Sequence, residues 1–500
     1  MSAKRIYLTV ALCAVVVYLG ALWNQFALDD LAIIARNPLV SHASGIWRAF
    51  ATSYWPPELG GRMYRPLVIA TFAVDRLLDG TTWFHAVNLL WNAAAAVAVT
   101  ALARRWSDDA GGLAAGLLFA VHPVHVEAVA NVVGRAELMA ALFVALAVYA
   151  ALVRGFVVWS SFAWTLGLLC KENAAVAPAL IAWGWLLGLA RPERRQVARF
   201  VVSWVVVGAL YGVVWVMLGH GATQYQSVAP MFVGVSPVAV RLTAVHGLAD
   251  VARLLVFPLT LRVDYSPDER TAVTSPVDPR FAAGVVCLLL WAALLVVSWT
   301  RGRRLAAFGL GWAGIALLPV ANLLYPTGVY VAERTLYLPS AGFVLAVTDW
   351  LAALPRAWLR PLVGALVLLT GIRTAARVPV WRDDASVAQS VVNDSPRSYV
   401  GHTRMTGLYL DQRDPARALA EARLAARIYQ RDPWIYVTGS VAAFSVGQGG
   451  AADSLLDALE RVCSGTCAVS YYRYEAAVAR AHGYPVAADS LEARAERLAR

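Results

Sequence analysis

Over its first 378 residues the chain alternates long apolar runs with short polar clusters. A helix rises about 1.5 Å per residue and a bilayer core is about 30 Å thick. On that measure the runs predict membrane-crossing helices at roughly 6–26, 84–103, 110–125, 136–153, 156–170, 174–190, 199–218, 281–299, 305–322, 336–353 and 361–377. That is about eleven spans. The first run follows only Lys4 and Arg5 and lacks a small-residue cleavage site, so it is expected to stay as an anchor helix and not to be removed as a signal peptide. The stretch from Pro237 to Pro258 is apolar but carries Arg241, His246, Asp250 and Arg253. It is expected as an interfacial or re-entrant helix with Asp250 and Arg253 on one face.

From about Trp381 the pattern changes to Arg, Asp and Ala, with no run long enough to cross a bilayer. A small α-helical domain is therefore expected over 379–500. Leu408-Tyr409 with Arg413-Asp414 and Ala418, then Ala443-Phe444 with Gly449-Gly450 and Ala452, then Ala477 to Gly483 and Ala487-Ala488 recur at a nearly fixed spacing. A period of about 34 residues suits about three tetratricopeptide units, helix pairs that bury their apolar faces on one another. An unrelated helical bundle is the alternative. The fold class is all-α: a polytopic membrane helical bundle followed by this smaller domain.

Composition supports the membrane reading, with 59% hydrophobic and 15% charged residues and a mean hydropathy of +0.57. The net charge of +11 resides largely in Arg groups of alternate connections: Arg104 and Arg105, Arg154, Arg191 with Arg194 and Arg195, Arg301 with Arg303 and Arg304, and Arg356 with Arg360. Arginine collects in cytoplasmic loops, which explains the charge without a nucleic-acid surface. The N-terminus is then cytoplasmic, and an odd number of spans places the C-terminal domain outside.

The remaining connections hold Asp29-Asp30, Tyr64-Arg65-Pro66, His122 to Glu127, Lys171-Glu172 and Glu333-Arg334. All five fall on one face, and ionisable groups at that depth mark a functional site. A carboxylate at a low-dielectric boundary can serve as a general base, which makes Asp29 and Asp30 the catalytic candidates. Asp108-Asp109 is also an acid pair but stands beside Arg104 and Arg105, so it reads as a solvated loop. His122, His125 and Glu127 offer imidazole and carboxylate, but their spacing is not that of the i, i+4 zinc helices and Pro123 interrupts the helix. A span end that hydrogen-bonds a polar substrate is the preferred reading, and no metal is expected. Arg135 and Glu137 either form a structural salt bridge or extend the same wall. Lys171, with Glu172, and Arg334, with Glu333, suit an anionic phosphate, since Arg presents a fork of donors and Lys a compact charge. Cys463 and Cys467 flank a short turn outside the membrane, where a disulfide or two free thiols are both open.

Phe26-Ala27-Leu28-Asp29-Asp30, Tyr64-Arg65-Pro66-Leu67, Phe84-His85-Ala86-Val87-Asn88, His122-Pro123-Val124-His125-Val126-Glu127, Gly134-Arg135-Ala136-Glu137, Leu169-Cys170-Lys171-Glu172 and Ala332-Glu333-Arg334-Thr335-Leu336-Tyr337 follow one another in an order that resembles the transmembrane and tetratricopeptide-repeat O-mannosyltransferases. The resemblance implies a C-type membrane glycosyltransferase fold. It also implies an inverting transfer of a sugar, mannose or another hexose, from a polyprenyl-phosphate carrier to Ser or Thr hydroxyls of a protein at the extracytoplasmic face. It casts Asp29 as the base or acceptor-orienting group, with Asp30 beside it. Arg334 and Lys171 would neutralise the leaving phosphate, and Arg65, His122, His125, Glu127, Arg135, Glu172 and Glu333 would line the substrate site. No cofactor is implied beyond the lipid-linked donor, and the repeats would present the acceptor protein. Richness in Ala, Arg and Val points to a bacterial inner membrane and so to undecaprenyl phosphate as carrier. Two alternatives stand: transfer to a lipid or surface glycan, and a non-catalytic membrane scaffold that recruits partners through the repeats.

Overall fold

A computed structural model describes residues 1–500 apart from 57–62, 79, 220–227 and 257. Regular structure among the described residues is entirely helical. A helix occupies each of the eleven apolar runs, but their lengths differ. Five are long and apolar enough to cross a membrane: Thr81–Trp106, Val132–Leu152, Arg194–Leu218, Pro279–Thr300 and Ala357–Trp381. A sixth arises if Asp109–Ala120 and Pro123–Ala130, bent by 46° at a break, count as one span. Ala3–Val16, Val157–Cys170, Ala177–Leu186, Arg304–Leu317 and Tyr337–Leu351 are shorter. Fourteen residues of helix cover only about 21 Å, less than the hydrocarbon core. The long runs expected there are broken into shorter helices by 3₁₀ turns such as Leu19–Trp23 and Glu172–Val176. Pro237–Val256 is a helix of 20 residues whose three charges keep it out of the spanning set.

Burial follows the character of a bilayer protein. Val132–Leu152 is central, with 83% of its most apolar window buried, whereas Arg194–Leu218 buries none of its window and still presents Val202, Val205, Leu210 and Met217 outward. So large an apolar outer face has no stable place in water and fits lipid. Helices inside the bundle approach through small residues. A Cβ on Gly309 would meet the Gly342 carbonyl oxygen at 2.4 Å, and one on Gly342 would meet that of Gly309 at 2.3 Å. Without a hydrophobic drive between helices in lipid, such backbone contact supplies dispersion energy instead.

Beyond Trp381, Asp384–Asp394 still packs its Val387 and Val391 into the main core, so a separate core begins only at Tyr399. Three helix hairpins follow: Tyr399–Asp411 with Pro415–Ile428, Pro433–Ser445 with Gly449–Val462, and Thr466–Ala481 with Pro485–Ala499. Their first helices begin 34 and 33 residues apart. Side chains of Ser398, Asp414 and Asp432 cap the helices that follow them, which sets where each begins. Cys463 and Cys467, left open by the sequence, are joined in a disulfide with Cα atoms 5.5 Å apart. The hairpins are tied to the bundle by Arg36 Nη1 donating to the Tyr474 hydroxyl (3.0 Å), by the Ser398 hydroxyl donating to Asp264 (2.6 Å), and by the Tyr429 hydroxyl donating to the Pro230 carbonyl (3.1 Å).

Candidate functional site

The first polar cluster is a strained turn. Leu28 adopts φ +55°, a left-handed conformation that costs an L-residue with a Cβ about 1–2 kcal/mol. Its N–H donates to Asp384 Oδ1 at 3.0 Å, so the helix after the bundle holds the turn from outside. The result separates two adjacent acids. Asp30 is fully enclosed: its Oδ1 accepts from Val133 N (2.8 Å), and its Oδ2 accepts from Val132 N and Ala27 N (both 3.3 Å). Burial pushes the Asp30 carboxyl up to about 7; the three N–H donors oppose the rise and the neighbouring Asp29 charge adds to it. Asp29 is half-buried and makes no hydrogen bond or ion pair among the described residues. Its charge acts on Arg334 and Tyr54. Asp108 and Asp109 behave as the sequence suggested, Asp108 capping a helix through Gly111 N (2.8 Å) and Asp109 pairing with Arg104.

Three cations come from three different clusters, and one of them, Arg334, feels the charge of Asp29. Arg65 donates through Nε and Nη2 to Glu172 Oε2 (3.2 and 2.9 Å) and lies over the Tyr54 ring, 5.1 Å from its centre. Lys171 pairs with Glu137, whose other oxygen accepts from Asn173 Nδ2 at 3.0 Å. Arg334 grips Glu127 twice, through its guanidinium and through its own backbone N–H (2.8 Å). Arg334 feels Asp29 and Glu137 as well as Glu127, and Lys171 feels both Arg65 and Arg334. The three cations therefore form one group of mutually interacting charges. Arg334 and Glu172 keep 30% and 35% of their side chains exposed, so the group can be reached from outside. Each cation keeps donors beyond those its acid partner uses, and together they can clamp an anionic phosphate next to Asp29.

Several candidates lie behind this group. Arg135 does not pair with Glu137. It is enclosed, ion-paired with Asp75, stacked 4.6 Å from the centre of the Phe72 ring, and it donates to Asn88 Oδ1 (2.8 Å), the Phe84 carbonyl (2.9 Å) and Thr71 Oγ1 (3.3 Å). That accounts for the Phe84-to-Asn88 motif, since Asn88 Nδ2 also donates to the Val132 carbonyl at 3.2 Å and fixes the loop under Asp30. His122 caps the bent span, its Nδ1 accepting from Val124 N (3.3 Å), which leaves Nε2 to donate to the Leu255 carbonyl (3.0 Å). His125 is fully buried, bonded to Ser340 Oγ at 2.7 Å and packed on Tyr337. His122 thus spends both ring nitrogens on protein partners, whereas His125 spends Nε2 and leaves Nδ1 buried without a hydrogen-bond partner among the described residues. Among the described residues no three His, Cys, Asp or Glu side chains group as metal ligands. Tyr54 went unnoticed in the sequence, its only signal being an aromatic pair, Tyr54-Trp55, in the first polar loop.

Glu333 is buried, accepting from Arg262 N (2.5 Å) and the Tyr265 hydroxyl (2.9 Å). Burial pushes its carboxyl up to about 8, against the Arg377 charge and the two donors. The folded chain therefore binds this proton more tightly than the unfolded chain, where a glutamate titrates near 4.3. The stabilisation is complete below that lower value and is lost as pH rises through about 8. Thermal unfolding in detergent should show a midpoint that falls between about pH 5 and pH 8.5, with a flatter slope in Glu333→Gln, which keeps the acceptor oxygen. An unchanged slope in the variant contradicts this assignment.

Apolar outer faces around a bundle that holds paired charges inside define an integral membrane protein. Comparison with known proteins gives that class a lineage. The chain is 27% identical over 371 residues to protein O-mannosyl-transferase TMTC3 of Homo sapiens, covering 66% of this chain and 40% of that protein. It is 25% identical over 468 residues to TMTC4 of Mus musculus (79% and 63%) and 28% identical over 404 residues to protein O-mannosyl-transferase F38B6.6 of Caenorhabditis elegans (77% and 57%). No family model matches. The chain is homologous to the protein O-mannosyl-transferases of the TMTC family, as the order of its motifs suggested. It spans about half the length of the curated relatives it matches.

Proposed function

We propose that this chain is a membrane glycosyltransferase that moves a hexose, mannose in the first instance, from a polyprenyl-phosphate carrier to Ser or Thr hydroxyls of a protein, with inversion. One observation carries the reading: an unpaired carboxylate, Asp29, acts on Arg334, which belongs to one interacting group of cations with Lys171 and Arg65. The relatives, named as protein O-mannosyl-transferases, point the same way. In the proposed step the acceptor oxygen attacks the anomeric carbon and gives its proton to Asp29. The bond from that carbon to the phosphate oxygen breaks on the opposite face, its electron pair leaving with the phosphate. Arg334, Lys171 and Arg65 stabilise the charge that grows there, and this is the interaction that lowers the barrier.

The same reading takes the eleven helical runs as spans, the shorter ones tilted or thinning the bilayer locally. It takes the N-terminus as cytoplasmic, the hairpins as extracytoplasmic tetratricopeptide repeats that hold the acceptor, and the membrane as a bacterial inner membrane with undecaprenyl phosphate as carrier. Reconstitution tests it. Protein in liposomes given polyprenyl-phosphate mannose and a Ser/Thr peptide should yield a peptide heavier by one hexose, and removal of residues 399–500, which spares the helix that packs on the bundle, should lower transfer to peptide. Transfer that goes to lipid alone, or does not depend on the phosphate carrier, overturns the proposal.

A further inference from the structure

The C-terminal hairpins enclose a cleft against the loop that follows Asp29. Its volume is about 460 Å³, the size of a ligand site. Four carboxylates, Asp384, Asp411, Asp432 and Glu475, line it against two guanidiniums, Arg36 and Arg404. Most of these charges have partners. Asp411 pairs with His482 at 3.0 Å, Asp384 holds the Leu28 N–H and lies 4.0 Å from Arg404, and Arg36 is turned to the Tyr474 hydroxyl.

Glu475 is the exception. It is 5% exposed, stands on the cleft wall from the helix Thr466–Ala481, and makes no hydrogen bond or ion pair among the described residues. A carboxylate that is desolvated and unpaired is unfavourable, and a cation entering the cleft relieves it. Its surroundings already register the strain: burial pushes the Glu475 carboxyl up to about 7, with Arg36 opposing and Asp411 adding. Trp434 and Tyr484 line the same space and offer aromatic faces to an aliphatic stem or a cationic head. An organic cation, with a charged head for the carboxylate and an apolar stem for the rings, is the complement of these walls.

We propose that this cleft binds a lysine or arginine side chain of an extended polypeptide, its cationic head meeting Glu475 and its stem lying between Trp434 and Tyr484. A polypeptide suits the position as well as the charge. Leu31, two residues past Asp29, lines the cleft, and Asp384 belongs both to the cleft and to the turn that presents Asp29. A chain anchored by its basic residue in the cleft reaches Asp29 by continuing a few residues at about 3.3 Å each. The identification of that chain as acceptor rests on the proposed glycosyl transfer, whereas its capture does not.

Binding therefore tests the inference without turnover. The full chain in nanodiscs is titrated, by fluorescence anisotropy, with ten-residue Ser/Thr peptides that differ only in one Lys or one Gln. The Lys peptide should bind about tenfold more tightly, and Glu475→Gln should remove that preference while leaving affinity for the Gln peptide unchanged. Asp29→Asn should keep the preference, whereas an unmodified chain that binds the Lys peptide but transfers no sugar overturns the enzyme reading and not this one. Equal binding of the two peptides to the unmodified chain overturns the inference even if Glu475→Gln does not fold. So does a preference that survives Glu475→Gln, or displacement of the peptide by spermidine at equal concentration, which marks a free polyamine as the occupant.

Discussion

Asp29→Asn should reduce sugar transfer by about 10³-fold or more, in the upper range for removal of a positioned general base, and leave the thermal midpoint where it was. Asp29 has no hydrogen-bond partner to lose, and its amide analogue fills the same volume. The adjacent change should do the reverse in stability. Asp30 spends both oxygens on N–H donors, Oδ1 on Val133 and Oδ2 on Val132 and Ala27, so whichever oxygen becomes an amide nitrogen in Asp30→Asn meets an N–H head on. Leaving buried donors unsatisfied costs about 1–3 kcal/mol, and the loop carrying Val132 and Val133 loosens beneath Asp29. A fall in both transfer and thermal midpoint for Asp30→Asn, against transfer alone for Asp29→Asn, is the expected signature. Full transfer by Asp29→Asn removes the base from the mechanism, and an Asp30→Asn chain as stable as the parent removes the division of labour.

Arg135→Met should be the most destabilising single change among the charged candidates. It strips the counter-ion from Asp75, which is itself 4% exposed, and frees the acceptors on Asn88, Phe84 and Thr71. Breaking a buried pair from one side costs about 3–5 kcal/mol. Arg135→Lys should recover only part of this, because one ammonium cannot reproduce a fork that serves four partners. Arg135→Met with Asp75→Leu should recover more, since removing both charges leaves no orphan. Thermal unfolding of the three variants in one detergent decides it. If Arg135→Met keeps its midpoint but loses affinity for the lipid phosphate, Arg135 faces substrate after all.

How these residues divide their work was only partly visible in the chain. The polar clusters stood out because charge interrupts apolar runs, and the cations in them suggested an anion before any contact was known. The helices at the apolar runs, the break at Pro123 and the soluble role of Asp108-Asp109 were legible for the same reason: each depends on neighbours within a few residues. The three-hairpin spacing was legible because a repeat declares itself by period. What could not be read was direction. Asp29 and Asp30 are identical in type and adjacent, yet one stays free and the other holds a backbone loop 103 residues away. Glu127 meets Arg334 across 207 positions, and Arg65 meets Glu172 across 107. Arg135 was placed with the substrate residues because it shares a motif with Glu137, but successive side chains on a helix leave in different directions, and the two end up with separate partners, Asp75 and Lys171. The full length of the crossings was overread too, because an apolar run does not reveal where a 3₁₀ turn will shorten its helix.

By itself, then, the sequence determined that the chain is helical and membrane-bound, where its ionisable residues cluster, and that a periodic helical region follows, since hydropathy and period are local properties of a chain. Only the tertiary structure decided which acid stays free, which acid each cation pairs with, and that Glu475 stands unpaired in a cleft beside the turn at Leu28. Those outcomes depend on which distant groups satisfy one another when water is excluded, and that pairing is a property of the packed molecule.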